Sequence, residues 1–286
     1  MGVPSVDIDL TGQVALVTGA SRGLGRIYAQ SLAAAGARVV VSARSEEQIE
    51  EAARQIKQAG GTASAIPVDV TDPVAVEHMM QQIEQEFGRI DLLINNAGVI
   101  AALGPIWETD PLAWKNVFDV NLYGCYLCAR AALKRMIPRG SGRIINLASG
   151  ASLIPLPNGS AYCVSKAALA RLTEQIAVEA KAYGVTAFAV NPGNVLDGGM
   201  TPYLMESEEG QTHAPWFRET VLAGNHVPAD LSARLITLIA SGKADALSGR
   251  FLNAWADVDQ IISQAEQIVK ADLYTLRLNS LPVEPT

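Results

Sequence analysis

The sequence has few of the residues that build disulfide frameworks, metal sites or nucleic-acid-binding surfaces. Its 286 residues include three cysteines and three histidines. Three cysteines do not make a disulfide framework, and the histidines have no companions at the spacing of metal ligands, so we predict no metal. The formal net charge is −7 without a basic block, which disfavours nucleic acid and anionic membrane as partners.

Long apolar runs are also missing. None reaches the ~20 residues that a membrane-spanning helix needs, and residues 1–10 are acidic and lack the apolar segment of a signal peptide. We therefore expect a cytoplasmic protein. Apolar residues make up 49% of the chain, enough to bury the core of one large domain or two small ones.

Cys125 and Cys128 form a C-x-x-C pair inside a stretch with a helical pattern. A structural zinc site needs about four ligands, and a thioredoxin-like pair sits at the N-terminus of a helix that follows a strand. Neither context is present, so we interpret both as buried, reduced thiols.

Short apolar, β-branched runs alternate with amphipathic stretches along most of the chain. This alternation predicts a doubly wound parallel sheet of about seven strands with helices on both faces. The predicted strands are 13–18, 38–42, 63–68, 91–95, 143–147, 185–190 and an edge strand at 250–254. The predicted helices are one that ends at Gly36, then 46–59, 73–87, 112–136, 161–183 and 228–241.

Two segments depart from this rhythm. Residues 196–228 carry Gly, Pro, Met, Trp and an acidic run, which is too long for a plain connection and predicts a mobile lid over a substrate. Residues 255–286 form a C-terminal extension with apolar residues at helical spacing. That stripe predicts either a helix packed on the body or a contact between subunits. We expect one domain over 1–286, with its core at 11–195.

A glycine-rich turn follows the first strand. Thr18-Gly19-x-x-x-Gly23-x-Gly25 lies between a strand and a helix, where glycines let backbone N–H groups approach a dinucleotide pyrophosphate and the helix N-terminus adds partial positive charge. The alternative is a tight structural turn. The position before the helix favours nucleotide binding.

The end of the second strand bears on the choice of nucleotide. NAD-binding proteins usually place an acid there for the ribose 2′-hydroxyl, whereas an arginine suits a 2′-phosphate. Here Ala43 fills the acid position, and Arg44 and Arg22 can grip a phosphate. We therefore predict NADP(H) over NAD(H), although the two could be ordinary surface arginines.

Tyr162 and Lys166 are four residues apart in an apolar stretch. On a helix, both side chains lie on one face, one turn apart. A nearby ammonium would lower the pKa of the phenol from about 10, and Ser149 could hold a substrate oxygen beside it. The alternative is an exposed tyrosine and lysine on a surface helix.

Taken together, the motifs resemble those of the short-chain dehydrogenase/reductase family in its shorter, single-domain type. The matching residues are Thr18 to Gly25, Asp69-Val70, Asn95 to Gly98, Asn121, Ser149, Tyr162 with Lys166, and Asn191-Pro192-Gly193. They occur in family order and spacing over about residues 11–195. The resemblance implies a Rossmann fold, no metal, and a homodimer or homotetramer built through helices 112–136 and 161–183.

The resemblance also implies residue roles. Tyr162 would exchange a proton with the substrate, Ser149 would position its carbonyl oxygen, Lys166 would bind the nicotinamide ribose, and Asn121 would fix a water that relays protons to Lys166. The implied cofactor contacts are Gly19, Ser21, Arg22, Gly23, Leu24, Gly25, Arg44, Asp69, Val70, Asn95, Ala97, Gly98, Tyr162, Lys166, Pro192, Gly193 and Val195.

The chain departs from the family pattern in two places. After Pro192-Gly193 many relatives have Val, one residue and then a Thr that contacts the carboxamide, whereas here Val195 is followed by Leu196 and Asp197. Either Asp197 or Thr201 would have to serve instead. Second, the chain continues from Ala254 well beyond the point where many relatives stop, so the subunit contacts of that ending cannot be carried over.

The predicted activity is that of an oxidoreductase acting on CH–OH donors, a carbonyl reductase or alcohol dehydrogenase. We expect the lid acids to be solvated and the loops near the nicotinamide to favour an apolar substrate, although the same side chains could simply pack the lid. The predicted lining is Ile100, Leu103, Leu153, Ile154, Leu156, Leu196, Met200, Tyr203, Leu204, Trp216 and Phe217. The main alternative is a catalytically silent relative that binds dinucleotide as a sensor or scaffold.

Overall fold

The computed structural model describes residues 8–196 and 198–277, and its centre is a seven-stranded parallel sheet. The strands are β1 (Val14–Thr18), β2 (Arg38–Ala43), β3 (Thr62–Pro67), β4 (Leu92–Asn95), β5 (Gly142–Leu147), β6 (Val185–Asn191) and β7 (Phe251–Asn253). Their order is β3-β2-β1-β4-β5-β6-β7, with every neighbouring pair parallel. The order reverses between β1 and β4, which confirms the predicted doubly wound sheet and opens a crevice at the carboxyl ends of these strands.

Helices cover both faces of the sheet. They are α1 (Gly23–Ala34), α2 (Glu46–Gln58), α3 (Pro73–Phe87), α4 (Pro111–Phe118), α5 (Cys125–Met136), α6 (Ser160–Ala180), α7 (Thr201–Glu206), α8 (Glu208–His213), α9 (Pro215–Leu222), α10 (Ala229–Ala240), α11 (Val258–Ser263) and α12 (Ala265–Lys270). One core packs α1, α2, α10, α11 and α12 on one face, and a second packs α3, α5 and α6 on the other.

Local sequence explains why these elements form. The strand β1 is buried along its whole length, as expected for an apolar strand covered on both faces. The helix α3 begins with Pro73, whose missing N–H costs nothing at that position. The Asp72 side chain caps the same helix and accepts from the Val74 N–H at 2.8 Å. Gly88, with φ of 76°, then ends it.

The long helix predicted at 112–136 has a widened turn in its middle. Helix α4 passes into a π-helical segment, Asp119–Gly124, which continues into α5. Such segments often occur at functional sites, and this one contains the fully buried Asn121. A π-turn has no distinct sequence period over six residues, so the sequence predicted an uninterrupted α-helix.

The lid, residues 196–228, contains more regular structure than the sequence predicted. It holds the three short helices α7, α8 and α9. Pro202 and Pro215 stand in the first turns of α7 and α9, and the Ser207 side chain caps α8. The prolines that helped to predict an irregular lid therefore begin helices, each too short to show a helical period.

The C-terminal extension packs on the body within the described residues. Its apolar stripe forms two short helices, α11 and α12, with Ile261 and Ile268 buried in the core. The chain then runs along the edge of the sheet, where the Phe251 N–H donates to the Tyr274 carbonyl at 2.8 Å. Glu174 of α6 accepts from the Leu276 N–H at 3.1 Å and pairs with Arg277 at 3.0 Å. Residues 271–277 therefore form a strap that covers β7, an otherwise open edge.

Candidate active site

A cavity of about 1150 Å³ lies at the carboxyl ends of the strands, between the glycine-rich turn and the lid. This is the crevice in which doubly wound sheets bind ligands. Most of the predicted cofactor and catalytic residues line it, so the topology brings together motifs that are far apart in the sequence. Among the predicted cofactor contacts, Gly23 and Asn95 are the two that do not line it.

The glycine-rich turn leaves no room for side chains. A Cβ on Gly25 would lie 2.4 Å from the Gly19 carbonyl oxygen, and one on Gly19 would lie 2.8 Å from the Ala97 Cα. Gly19 also has a φ of 64°, in the left-handed region that favours glycine. The backbone thus forms a bare concave surface at the N-terminus of α1, which fits a pyrophosphate.

Gly23 packs against the lid and does not line the cavity. Its φ is 55°, and a Cβ there would lie 2.6 Å from the Gly199 backbone nitrogen. The first turn of α1 and the lid therefore touch through two glycines.

Asn96 lines the cavity in place of the predicted Asn95. The Asn95 side chain is buried beneath the site and donates to Asn146 Oδ1 at 2.8 Å and to the Cys125 carbonyl at 3.2 Å. Asn96 lines the cavity instead, and its Nδ2 donates to the Thr18 and Gly19 carbonyls at 3.0 and 3.1 Å. Successive strand residues point to opposite faces, and which one faces the cavity depends on how the strand end is rotated.

The far end of the cavity is lined by Ala43, Arg44, Ser45 and Gln48, after β2. Asp69 lies opposite. Burial alone would raise the pKa of its carboxyl, but hydrogen bonds from Thr71 and the charge of Arg44 outweigh burial, and the net shift is downward. Arg44 is exposed to solvent. It lies at the end of β2, where the sequence predicts a contact with a 2′-phosphate.

Tyr162, Lys166 and Ser149 converge on the centre of the cavity. The Lys166 Nζ lies 5.7 Å from the centre of the Tyr162 ring and donates to the Leu147 carbonyl at 2.7 Å. Both side chains are more than nine-tenths buried. The Ser149 side chain lies close enough to the phenol to lower its pKa. The tyrosine and lysine therefore share one face of α6 inside the protein and are not surface residues.

The pKa of Tyr162 moves in the opposite direction to the one predicted. Burial raises the pKa of the phenol, and the Ser149 side chain lowers it by less. Burial also lowers the pKa of the Lys166 ammonium. The charge of Lys166 alone would lower the pKa of the phenol, whereas dehydration of both groups favours their neutral forms.

Asn121 lies behind the cavity wall. Its Oδ1 accepts from the Val99 N–H at 2.8 Å, and its Nδ2 donates to the Val99 carbonyl and to Ser165 Oγ at 2.9 and 3.1 Å. Both amide N–H groups are therefore used within the protein. A water could bond to this side chain only at the second lone pair of Oδ1.

The comparisons with known proteins agree with this geometry. The family model described as short chain dehydrogenase matches residues 13–209. The chain belongs to the short chain dehydrogenases. A relative from Monascus ruber, the short chain dehydrogenase pigC, is 34% identical over 282 residues, which cover 94% of this chain and 88% of the relative.

Solved structures of short chain dehydrogenases superpose on most of the chain. A gluconate 5-dehydrogenase from Burkholderia cenocepacia, in complex with NADP and tartrate, has a TM-score of 0.78 at 31% identity and covers 86% of this chain and 94% of its own. A variant of actinorhodin polyketide ketoreductase with NADPH has a TM-score of 0.77 at 29% identity and covers 84% and 95%.

The last group of predicted cofactor contacts in this short chain dehydrogenase follows β6. Pro192, Gly193 and Val195 line the cavity, as does Thr201. The Thr201 hydroxyl donates to the Val195 carbonyl at 2.6 Å, so it retains only acceptor capacity toward a ligand. Asp197, the other candidate to replace the usual threonine, lies outside the described residues.

The substrate side is apolar, with some differences from the predicted lining. Ile100, Ile154, Leu156, Met200, Leu204, Trp216 and Phe217 line the cavity as predicted. Leu103 and Tyr203 pack inside the lid instead, and Leu153 and Leu196 are largely exposed. The lining also includes residues to which the sequence analysis gave no role, among them Asn96, Thr220, His226 and Trp255. Trp255 directly follows the last predicted strand, which is a signal that could have been used.

The two C-x-x-C cysteines, Cys125 and Cys128, are buried and unpaired. Burial raises the pKa of the Cys125 thiol to about 11 and raises that of Cys128 further still.

No group of three potential metal ligands occurs in residues 8–196 and 198–277. Within the same described part of the chain, no helix is both long and apolar enough to cross a bilayer.

Proposed function

We propose that this short chain dehydrogenase is an NADP(H)-dependent oxidoreductase that interconverts a ketone and a secondary alcohol. The carrying observation is that Ser149, Tyr162 and Lys166 meet in one cavity that continues to the glycine-rich turn. A dinucleotide held on that turn and extended along the cavity would reach the phenol. A protein that only senses or stores the nucleotide has no need of this trio.

The residues divide the chemistry between them. The bound nicotinamide would supply or accept the hydride. Tyr162 is protonated at neutral pH because burial raises its pKa, so it can give a proton to the carbonyl oxygen during reduction. Ser149 would donate a hydrogen bond to the same oxygen. Lys166 keeps two of its three N–H donors for a ligand, since one is bound to Leu147.

Asn121 would act mainly as a positioning residue. Its amide fastens the loop after β4 to α6 through Val99 and Ser165. Ser165 in turn donates to the Tyr162 carbonyl at 2.8 Å. Through these bonds Asn121 would fix the separation between the cofactor loop and the helix that carries the proton donor.

The cofactor would be NADP(H) rather than NAD(H). The end of β2 offers Arg44 and Ala43 in place of an acid, and Arg22 also lines the cavity. Two arginines, with no acid at the end of β2, favour a 2′-phosphate. The NADP and NADPH held by the two solved relatives are consistent with this choice.

The substrate would be uncharged and mainly apolar. In the described lining, the charged side chains are Arg22, Arg44, Asp69 and Lys166, and none of them belongs to the lid. The lid instead contributes Leu204, Phe217 and the Trp216 ring, the kind of surface that binds apolar ligands. A sugar acid such as gluconate would find no arginine or lysine of the lid in this lining to pair with its carboxylate.

We also propose that the protein is a homodimer or homotetramer. The helical run α4–α5 carries two stacked tyrosines, Tyr123 and Tyr126, that are each more than 40% exposed, and α6 exposes Val164 and Val178. These apolar surfaces lie on the two helices through which the sequence analysis expected subunits to meet. Light scattering should give a multiple of the chain mass, and a monomer would overturn the assembly.

The activity is tested with Tyr162→Phe. The variant should lose about a thousandfold of its rate of NADPH oxidation with any accepted ketone, yet bind NADPH as the parent protein does in a fluorescence titration. Tyr183→Phe, at the exposed end of the same helical run, is the matched control and should keep full activity. If no ketone in a broad panel supports NADPH oxidation by the parent protein, the silent sensor becomes the better account.

A further inference from the structure

The lid is held on the body by a small apolar cluster. Leu103, from the loop after β4, is buried among Leu204, Ala214 and Phe217 of the lid. Leu204 and Phe217 also line the cavity. The packing of Leu103 thus sets where the apolar wall of the substrate site stands.

A single carboxylate joins the two sides of this cluster. Glu209, on α8, accepts from the Leu103 N–H at 2.7 Å through Oε1, and its Oε2 accepts from the Tyr203 hydroxyl on α7. Glu209 is half-buried, whereas its neighbours Glu206 and Glu208 are exposed. The sequence analysis expected all the lid acids to be solvated, and for Glu209 this is wrong.

Both carboxylate oxygens of Glu209 accept hydrogen bonds. Burial and the hydrogen bond to Glu209 raise the pKa of Tyr203 to about 12, so the phenol stays a donor. A hydrogen bond from a backbone N–H to a carboxylate is stronger than one between neutral groups. Asn158 makes a second connection between the lid and the loop after β4. Its Nδ2 donates to the His213 carbonyl at 3.0 Å, and its carbonyl accepts from the Gly104 N–H at 2.9 Å.

We propose that Glu209 is a positioning residue that latches the lid onto residues 99–104 and so shapes the pocket for the substrate. It touches neither the nucleotide turn nor Tyr162, and it acts through the placement of Leu103, Leu204 and Phe217. The proposal rests on the proposed function for its kinetic consequence. The latch itself can be measured without any substrate.

The test compares Glu209→Ala with Glu209→Gln and Glu208→Ala. Glu209→Ala should raise amide hydrogen exchange in residues 201–222 and raise KM for an accepted ketone about tenfold. The change in kcat should be smaller, and the Kd for NADPH should stay the same. Glu209→Gln keeps an acceptor oxygen for the Leu103 N–H and should recover most of the parent KM. Glu208→Ala removes the same charge one residue away and should match the parent protein.

A variant that does not fold would be replaced by Tyr203→Phe, which keeps the ring in the cluster and removes one of the two donors. It should shift lid exchange and KM in the same direction by a smaller factor. The latch is overturned if Glu209→Ala, or its replacement Tyr203→Phe, behaves like Glu208→Ala in both exchange and KM. It is also overturned if kcat and the Kd for NADPH change as much as KM. If lid exchange rises while the parent protein turns over no ketone, the latch stands and the proposed function fails.

Discussion

The Lys166 Nζ lies 5.7 Å from the centre of the Tyr162 ring, yet its hydrogen bond goes to the Leu147 carbonyl at 2.7 Å and not to the phenol. The ammonium therefore lies beside the ring, held by the end of β5. Burial raises the pKa of the phenol, and the interaction that lowers it comes from Ser149.

The first prediction concerns the ionisation of Tyr162. Because burial raises its pKa, the nucleotide-free protein should form the Tyr162 phenolate only at pH values above the ordinary value of about 10. Binding of NADP⁺ should bring that pKa down, since the oxidised nicotinamide ring carries a positive charge. The measurement is the tyrosinate absorbance of the parent protein minus that of Tyr162→Phe, titrated with and without NADP⁺.

The raised pKa of Tyr162 also makes the folding stability depend on pH. A group whose pKa is higher in the folded than in the unfolded chain contributes stability that is complete below the unfolded value and is lost as pH rises through the folded value. The parent protein should therefore lose more stability than Tyr162→Phe above about pH 10. Finding the nucleotide-free Tyr162 ionised near neutral pH would contradict both expectations.

The second prediction concerns the choice of nucleotide. Arg44→Ala should raise KM for NADPH by about tenfold or more and leave KM for NADH nearly unchanged, because the guanidinium would grip only the 2′-phosphate. Arg54→Ala, on the exposed side of α2, is the control and should change neither value. Equal or better efficiency of the parent protein with NADH would refute the NADP(H) assignment.

The third prediction concerns the C-terminal strap. Glu174 is nearly buried. Its carboxylate accepts from the Leu276 N–H and forms ion pairs with Arg171 and Arg277. Glu174→Ala should lower the free energy of unfolding by about 1–2 kcal/mol and expose residues 271–277 to protease. Glu179→Ala, exposed on the same helix, is the comparison. Identical unfolding curves and cleavage rates for the two variants would show that Glu174 does not hold the strap.

The strap also affects self-association, because it covers the edge strand β7. The strap uses the Phe251 N–H and packs Leu276 near Ala148 and Ala170. Ala148 directly precedes Ser149, so the strap supports the strand end that presents the serine. Release of the strap in Glu174→Ala would uncover an unpaired strand edge, and we expect self-association to increase in the same light-scattering measurement.

The local elements were largely predictable, and the reason is visible in individual segments. In β1, three of the five consecutive buried residues are β-branched, namely Val14, Val17 and Thr18, and Gly19 begins a turn whose φ only glycine adopts readily. The four-residue spacing of Tyr162 and Lys166 alone places both on one face of a helix. Such features depend on neighbours a few residues apart, so the sequence carries them directly.

Other features depended on contacts between distant segments. Asn95 and Asn96 each bond to residues far away in the sequence, and so does Glu209, which bonds to Leu103. The burial that raises the pKa of Tyr162 likewise depends on the packing of distant segments. The sequence by itself determined the order of strands and helices, the glycine-rich turn and the helical pair of tyrosine and lysine, because their patterns are local. The tertiary structure alone decided which side chains lost their water and which lid residue met which loop, since hydration and long-range packing exist only once the chain has folded.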